Sequence, residues 1–161
     1  MNTDLCFDYG RMKAIAIEDM NEIKRCLALS DFPSCEYTFP NLYIWADVYG
    51  TVWQIFNRHF YVHMPSIDEL LFPCSGDPVS IGELAAVSRG MRARSFSGTI
   101  AHVPPSYIAT HPELQEYFTA VPMGDDNDEY IYQTKSLAEL HGGKLSKKRN
   151  LISQFERNYD N

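Results

Sequence analysis

The sequence has no apolar run near the roughly 18 residues that a membrane-spanning helix needs, and it has no Cys-x-x-C pair. The first lack argues against a membrane span. The second disfavours a closed zinc site, which usually draws on close ligand pairs. Its four cysteines, Cys6, Cys26, Cys35 and Cys74, are widely spaced. The stretch Met1 to Arg11 carries Asp4 and Asp8 without a continuous apolar segment, so it does not read as a secretory signal. Reduced thiols and a soluble, cytoplasmic chain are therefore expected. The five histidines are scattered as well. His59 and His63 are four apart in a strand-like pattern, which puts them on one face but about 13 Å apart, too far to share a metal. No metal site is expected. Low-complexity segments and internal repeats are also missing.

What the chain does have is ordinary globular composition, with 45% hydrophobic and 22% charged residues over 161 positions. The net charge of −7 discourages binding to DNA or to anionic lipid. That average hides an uneven distribution. Asp125, Asp126, Asp128 and Glu129 make an acidic turn, whereas Lys144, Lys147, Lys148, Arg149 and Arg157 make the C-terminal segment basic.

Periodicity predicts a helix over Ile17 to Leu29, opened by Asp19 and Glu22 as a start signal. A short helix is predicted after Pro40, with Leu42, Trp45 and Ala46 on one face and Gly50 as its stop. Thr51 to Phe56 and His59 to His63 read as strands joined at Asn57-Arg58 in a tight hairpin. Glu69 to Pro73 reads as a strand, Ser80 to Arg89 as a helix and Gly98 to Val103 as a strand halted by Pro104-Pro105. Short helical pieces follow at Ser106 to Thr110 and Pro112 to Tyr117. Phe118 to Val121 and Glu129 to Gln133 are expected to pair as strands across the acidic turn. Ser136 to Leu140, a Gly142-Gly143 break and a helix from Lys144 to about Tyr159 complete the chain. This irregular alternation favours an α+β fold with a mixed, largely antiparallel sheet flanked by helices. The expected division is residues 1–143, then a connecting helix over 144–161. Leu145, Ile152, Phe155 and Tyr159 form an apolar stripe on that helix, with Lys147, Lys148, Asn150, Glu156 and Arg157 largely off it.

Three blocks carry a family resemblance. They are Phe39-Pro40-Asn41-Leu42-Tyr43-Ile44-Trp45, then Glu129-Tyr130-Ile131-Tyr132, then Leu137 to Lys144 followed by Lys147-Lys148-Arg149-Asn150 and Phe155. In order and spacing they resemble the phosphatidylglycerol lysyltransferase C-terminal domain family, from about Met12 onward. The resemblance implies a GNAT-like lobe, the first of two in tandem, with an acyl or aminoacyl group transferred from acyl-coenzyme A or aminoacyl-tRNA. It makes Lys147, Lys148, Arg149 and Asn150 candidates for contacting substrate phosphates, and Tyr43, Trp45, Tyr130 and Tyr132 candidates for lining a pocket. It implies a second lobe or a homodimer partner against Leu145, Ile152, Phe155 and Tyr159. Each also has a plainer reading: a solvated basic face, a helix-to-loop hydrogen bond at Asn150, and core or interface aromatics.

Acyl-coenzyme A lobes of this kind usually hold the pyrophosphate in a Q/R-x-x-G-x-G/A loop before a helix. Cys74-Ser75-Gly76-Asp77-Pro78 and Ser88-Arg89-Gly90-Met91 both lack the second glycine, so neither fits. Gly142-Gly143-Lys144 admits a phosphate contact or a simple hinge. Catalytic residues are not identifiable. A non-catalytic structural or dimerisation module is the competing reading, and RNA binding through the basic helix is a third.

Overall fold

The computed structural model describes residues 6–29, 34–124 and 133–159. These form two compact units, residues 1–122 and residues 123–161. The Gly142-Gly143 break lies inside the second unit.

The first unit is built on five strands in sequence order: β1 (Lys13–Ala14), β2 (Val52–Phe56), β3 (His59–Met64), β4 (Glu69–Leu71) and β5 (Ile100–Ala101). β1 to β4 pair antiparallel, and β4 pairs parallel with β5. The fold is thus α+β with a mostly antiparallel sheet. The hairpin between β2 and β3 closes at Phe56↔His59, with Asn57 and Arg58 both at positive φ, 47° and 71°. A two-residue loop needs that left-handed pair to follow the strand twist. A parallel pair needs a crossover, and α4 (Ile81–Arg92) provides the one between β4 and β5.

Each side of the sheet has its own core, because successive side chains point to opposite faces. Phe60, Val62 and Met64 of β3 join Trp53, Leu71, Ile23 and Leu27 of α1 (Met20–Leu27), and Phe39 and Leu42 of α2 (Phe39–Ile44). On the other face Tyr61 and Leu70 pack with Val87 and Met91 of α4, and Phe7 joins them. Every residue of β3 is buried. The strand therefore has no solvent face at all.

The predicted first helix begins later than expected. Ile17–Asp19 is a 3-10 turn, and the side chain of Asp19 does not cap α1. Its carboxylate instead accepts from the Ala16 amide, the Lys13 ammonium and the Trp53 indole. α3 (Ala46–Tyr49) follows α2 after a break at Trp45 and stops at Gly50, which is left-handed at φ 65°. α5 (Pro105–Thr110) and the 3-10 turn Pro112–Glu116 lie where the two short helical pieces are predicted. Phe118 to Val121 is not a strand. Its expected partner lies outside the described residues apart from Gln133, which caps the N-terminus of α6 (Thr134–Glu139). In the second unit, α6 is followed by the 3-10 turn Gly143–Leu145 and then α7 (Ser146–Tyr159).

Gly98 ties α4 to β5. It sits at φ 74°, and an added Cβ would lie 2.5 Å from the Ser88 hydroxyl oxygen and 2.7 Å from the Ser88 carbonyl. The Ser88 hydroxyl meanwhile donates to the Gly98 carbonyl at 2.8 Å in a buried setting. Gly98→Ala combines a left-handed penalty with overpacking and should cost about 2–5 kcal/mol in urea denaturation. A loss below about 0.5 kcal/mol would mean that this approach is slack.

Candidate functional site

β3 places three polar side chains, His59, Tyr61 and His63, on the face that meets α4, and each end of this row is met by different groups. At the first end stands Glu83, in the first turn of α4 and 4% exposed. His59 Nδ1 lies 2.7 Å from Glu83 Oε1, and the Tyr61 hydroxyl donates to the same oxygen at 2.7 Å. Asn57 Nδ2 donates to Oε2 at 3.4 Å. The hydrogen bond to a carboxylate places the His59 proton on Nδ1. The second ring nitrogen, Nε2, is buried without a hydrogen-bond partner.

This cluster changes what the start of α4 can do. A helix N-terminus attracts anions through unpaired amides and the helix dipole. Here the Ser80 hydroxyl accepts from the Glu83 amide at 3.2 Å, and the Glu83 carboxylate brings its negative charge into the same turn. The Glu83 side chain itself turns to the hairpin, where His59, Tyr61 and Asn57 take up its carboxylate.

At the other end His63 is wholly buried. The Tyr9 hydroxyl lies 2.7 Å from its Nδ1, and Phe96 packs against the ring at a centroid distance of 4.6 Å. His63 Nε2 and Asp68 Oδ1 face each other at 3.7 Å, within ion-pair reach of a protonated ring, and both atoms are buried without a hydrogen-bond partner. The other Asp68 oxygen accepts from the Ser97 amide at 2.8 Å.

A separate groove of about 190 Å³ is lined by Arg11, Lys13, Glu22, Trp53, Gln54 and Ile55. Lys13 lies 4.4 Å above the Trp53 ring and bonds Asp19 at 2.8 Å, so both signs of charge meet here. The Lys13 hydrogen bond is the main reason Asp19 is held below the usual carboxylate range.

The residues singled out in the sequence fall elsewhere. Lys147, Lys148, Arg149 and Asn150 all lie exposed on α7. Four consecutive helical residues spread around the axis, so they do not converge on one point. Arg149 is committed locally: its guanidinium donates to the carbonyls of Leu140 and Gly142, which tie α7 to the end of α6. Lys148 is four residues before Ile152 and seven before Phe155, so it heads the apolar stripe rather than falling off it. On that stripe Phe155 is 64% and Tyr159 71% exposed, with their rings 5.0 Å apart. Leu145 is half-buried. Tyr43 stacks on Phe39 at 5.5 Å and Trp45 tilts against Tyr49 at 6.0 Å. Tyr43 and Trp45 are exposed, as are Ile44 and Val48. Tyr130 and Tyr132 lie outside the described residues.

The cysteines are not joined by disulfides. Among the described residues no three His, Cys, Asp or Glu side chains are placed to hold a metal ion. No described helix is long and apolar enough to cross a membrane.

Comparison with known proteins gives this arrangement a context. The family described as "Phosphatidylglycerol lysyltransferase, C-terminal" matches residues 27–160. The chain belongs to this family. No curated protein matches it. A crystal structure of a conserved protein of unknown function from Bacteroides thetaiotaomicron VPI-5482 is similar, with a TM-score of 0.77 at 20% identity. The likeness covers 94% of this chain and 51% of the other, so the chain spans about half that protein's length. The part matched by the lysyltransferase C-terminal family includes β3, Glu83 and all of α7. Tyr9, Arg11, Lys13 and Glu22 precede it.

Sequence reasoning missed the β3 row. Its signal was the run of polar residues at alternate positions in an otherwise apolar strand, together with Glu83 three residues after Ser80. The row and its neighbours leave a pH signature. Burial pushes the Tyr107 phenol up to about 12, with Glu113 and Glu83 adding to the effect. Burial raises Tyr61 and Tyr37 further, and at Tyr61 the bond to Glu83 adds to it. A phenol raised in the folded state stabilises fully below its unfolded pKa near 10 and loses that contribution as pH rises through the folded value. Melting temperature should thus fall steeply between about pH 10 and 12. Tyr107→Phe should flatten part of that fall, and an unchanged profile in this variant would contradict the assignment.

Proposed function

We propose that the chain is the N-terminal lobe of an acyl- or aminoacyl-transferase of the GNAT superfamily, cytoplasmic, and inactive in transfer by itself. The family match over residues 27–160 carries this reading. Two further features support it: the chain covers 51% of a similar, longer structure, and α7 presents an exposed apolar stripe. In this reading residues 144–161 connect to a second lobe, which packs on Leu145, Ile152, Phe155 and Tyr159. Transfer of this type needs a positioned donor ester or thioester, an amine or hydroxyl acceptor and a proton acceptor. Lys147 and Lys148 contribute phosphate contacts to the donor. Arg149 keeps the turn before α7 in place. The donor in this reading is acyl-coenzyme A or aminoacyl-tRNA.

One observation favours a second reading. Neither Cys74-Ser75-Gly76-Asp77-Pro78 nor Ser88-Arg89-Gly90-Met91 carries the second glycine of a pyrophosphate loop, as a non-catalytic module supporting another lobe or a second copy would allow.

Calorimetric titration with aminoacyl-tRNA and with acyl-coenzyme A separates the two readings. The transferase reading expects saturable, salt-sensitive binding of one of these donors and no transferred product from the chain alone. Lys147→Ala with Lys148→Ala should lower the salt slope by roughly one per lysine. Binding of neither donor would leave the structural module as the better reading.

A further inference from the structure

The turn Tyr9–Arg11 is a short 3-10 helix, capped by the Asp8 carboxylate, which accepts from the Gly10 amide at 2.9 Å. The Arg11 amide donates to the Asp8 carbonyl at 3.2 Å and the Met12 amide to the Tyr9 carbonyl at 3.1 Å. Before it, Phe7 is anchored in the core against Phe56 and Tyr61, and Gln54 donates to the Asp8 carbonyl. The turn itself is fastened to the sheet through the Tyr9 ring, which packs on Phe96 at 5.1 Å and reaches His63 with its hydroxyl.

His63 has two possible partners on opposite sides of its ring, and its protonation state decides between them. A neutral imidazole with hydrogen on Nε2 accepts from the Tyr9 hydroxyl at Nδ1. It then aims Nε2–H at Asp68 across 3.7 Å, leaving that side unmade. A protonated ring donates from both nitrogens. The Tyr9 hydroxyl must then turn its hydrogen away from the ring and can meet Nδ1–H only as an acceptor. The Asp68 carboxylate gains a cation that it can reach by a movement of about an ångström.

We propose that His63 is a proton-operated latch, which fastens the Tyr9–Arg11 turn to β3 when neutral and transfers its hold to Asp68 when protonated.

The charged surroundings fit this role. Asp68, from the turn between β3 and β4, is the charged group acting on the ring; Arg94 and Asp68 act on Tyr9. Tyr9 comes from the N-terminal turn, and Phe96 and Ser97 of the segment between α4 and β5 are uncharged. The flanking partners on β2 and β4 are Val52 and Leu70, so they add no charge. Burial holds the imidazole below the ordinary histidine value, against the opposing pull of Asp68. The latch is therefore closed at neutral pH and opens only on acidification below the ordinary histidine range. Because Arg11 ends the turn and lines the groove with Lys13 and Trp53, opening alters the basic wall of that groove.

The test is amide exchange at Arg11 and Met12, read by NMR as protection factors from about pH 7.5 to 4.5, alongside ¹⁵N spectra of the histidine rings. The ring is expected as the Nε2–H tautomer at the upper pH. Protection at both amides should fall about tenfold with the midpoint of the ring titration. Asp68→Asn should move that midpoint to lower pH, and Tyr9→Phe should show the low protection at every pH. Protection that stays constant through the ring titration would overturn the proposal. So would a ring that remains neutral until the whole unit unfolds, or a Tyr9→Phe variant with wild-type protection.

Discussion

In a strand buried on both faces each inward polar atom is costly to leave without a partner, and β3 carries three polar side chains. An unpaired buried donor or acceptor costs about 1–3 kcal/mol, so His59, Tyr61 and His63 restrict what can pack over them. Glu83 answers the first two, which fixes the start of α4 above the hairpin. Tyr9 answers the third, which fixes the N-terminal turn above the other end of the strand. The apolar residues between them, Val87, Met91 and Phe7, then close the layer. The opposite face of the same strand is apolar and accepts α1 and α2 with no such restriction.

This arrangement bears on function through α4. Glu83, in the first turn of α4, turns its carboxylate to β3, where it is held by two donors at 2.7 Å. The surfaces left for ligands and partners lie away from the β3 row: the Arg11, Lys13 and Trp53 groove and the exposed Tyr43, Ile44, Trp45 and Val48 in the first unit, and α7 in the second. On α7 the basic residues begin the helix and the aromatic residues end it, with Lys148 in line with both. Of the blocks that carry the family resemblance, Phe39 to Trp45 falls on α2 and its end, and Leu137 to Phe155 on α6, the following turn and α7; Glu129 to Tyr132 lies outside the described residues.

Much of the fold was legible because local chemistry dictated it. Asn57-Arg58 between alternating apolar residues specifies a hairpin, and Gly50 specifies a helix stop. Leu84, Ala85 and Val87 in helical spacing specify α4. The site was not legible, because its partners are distant in sequence: Glu83 lies 24 residues from His59, and Tyr9 lies 54 from His63. No local pattern encodes such a meeting. The spacing argument correctly put His59 and His63 on one face and apart, yet it could not say what would answer each. Asp19 shows the converse failure. It has the composition of a helix cap, but Lys13 and Trp53 offered its carboxylate stronger partners, and tertiary contacts won over local propensity. Phe118 to Val121 has strand-like composition but does not join the sheet, a reminder that β propensity expresses itself only against a neighbour.

The constraint on β3 is tested most directly by a double-mutant cycle between His59→Phe and Glu83→Leu, with unfolding free energies from urea denaturation. Tyr61 loses its acceptor in Glu83→Leu and in the double variant alike, so its contribution cancels. If the buried pair holds α4 to the strand, Glu83→Leu orphans His59, and His59→Phe leaves the buried Glu83 carboxylate with only Tyr61 and Asn57 as donors. The double variant should then be less destabilised than the sum of the singles by about 1–3 kcal/mol. Additivity within about 0.5 kcal/mol would contradict the account, because it would mean that His59 and Glu83 tolerate burial independently of each other.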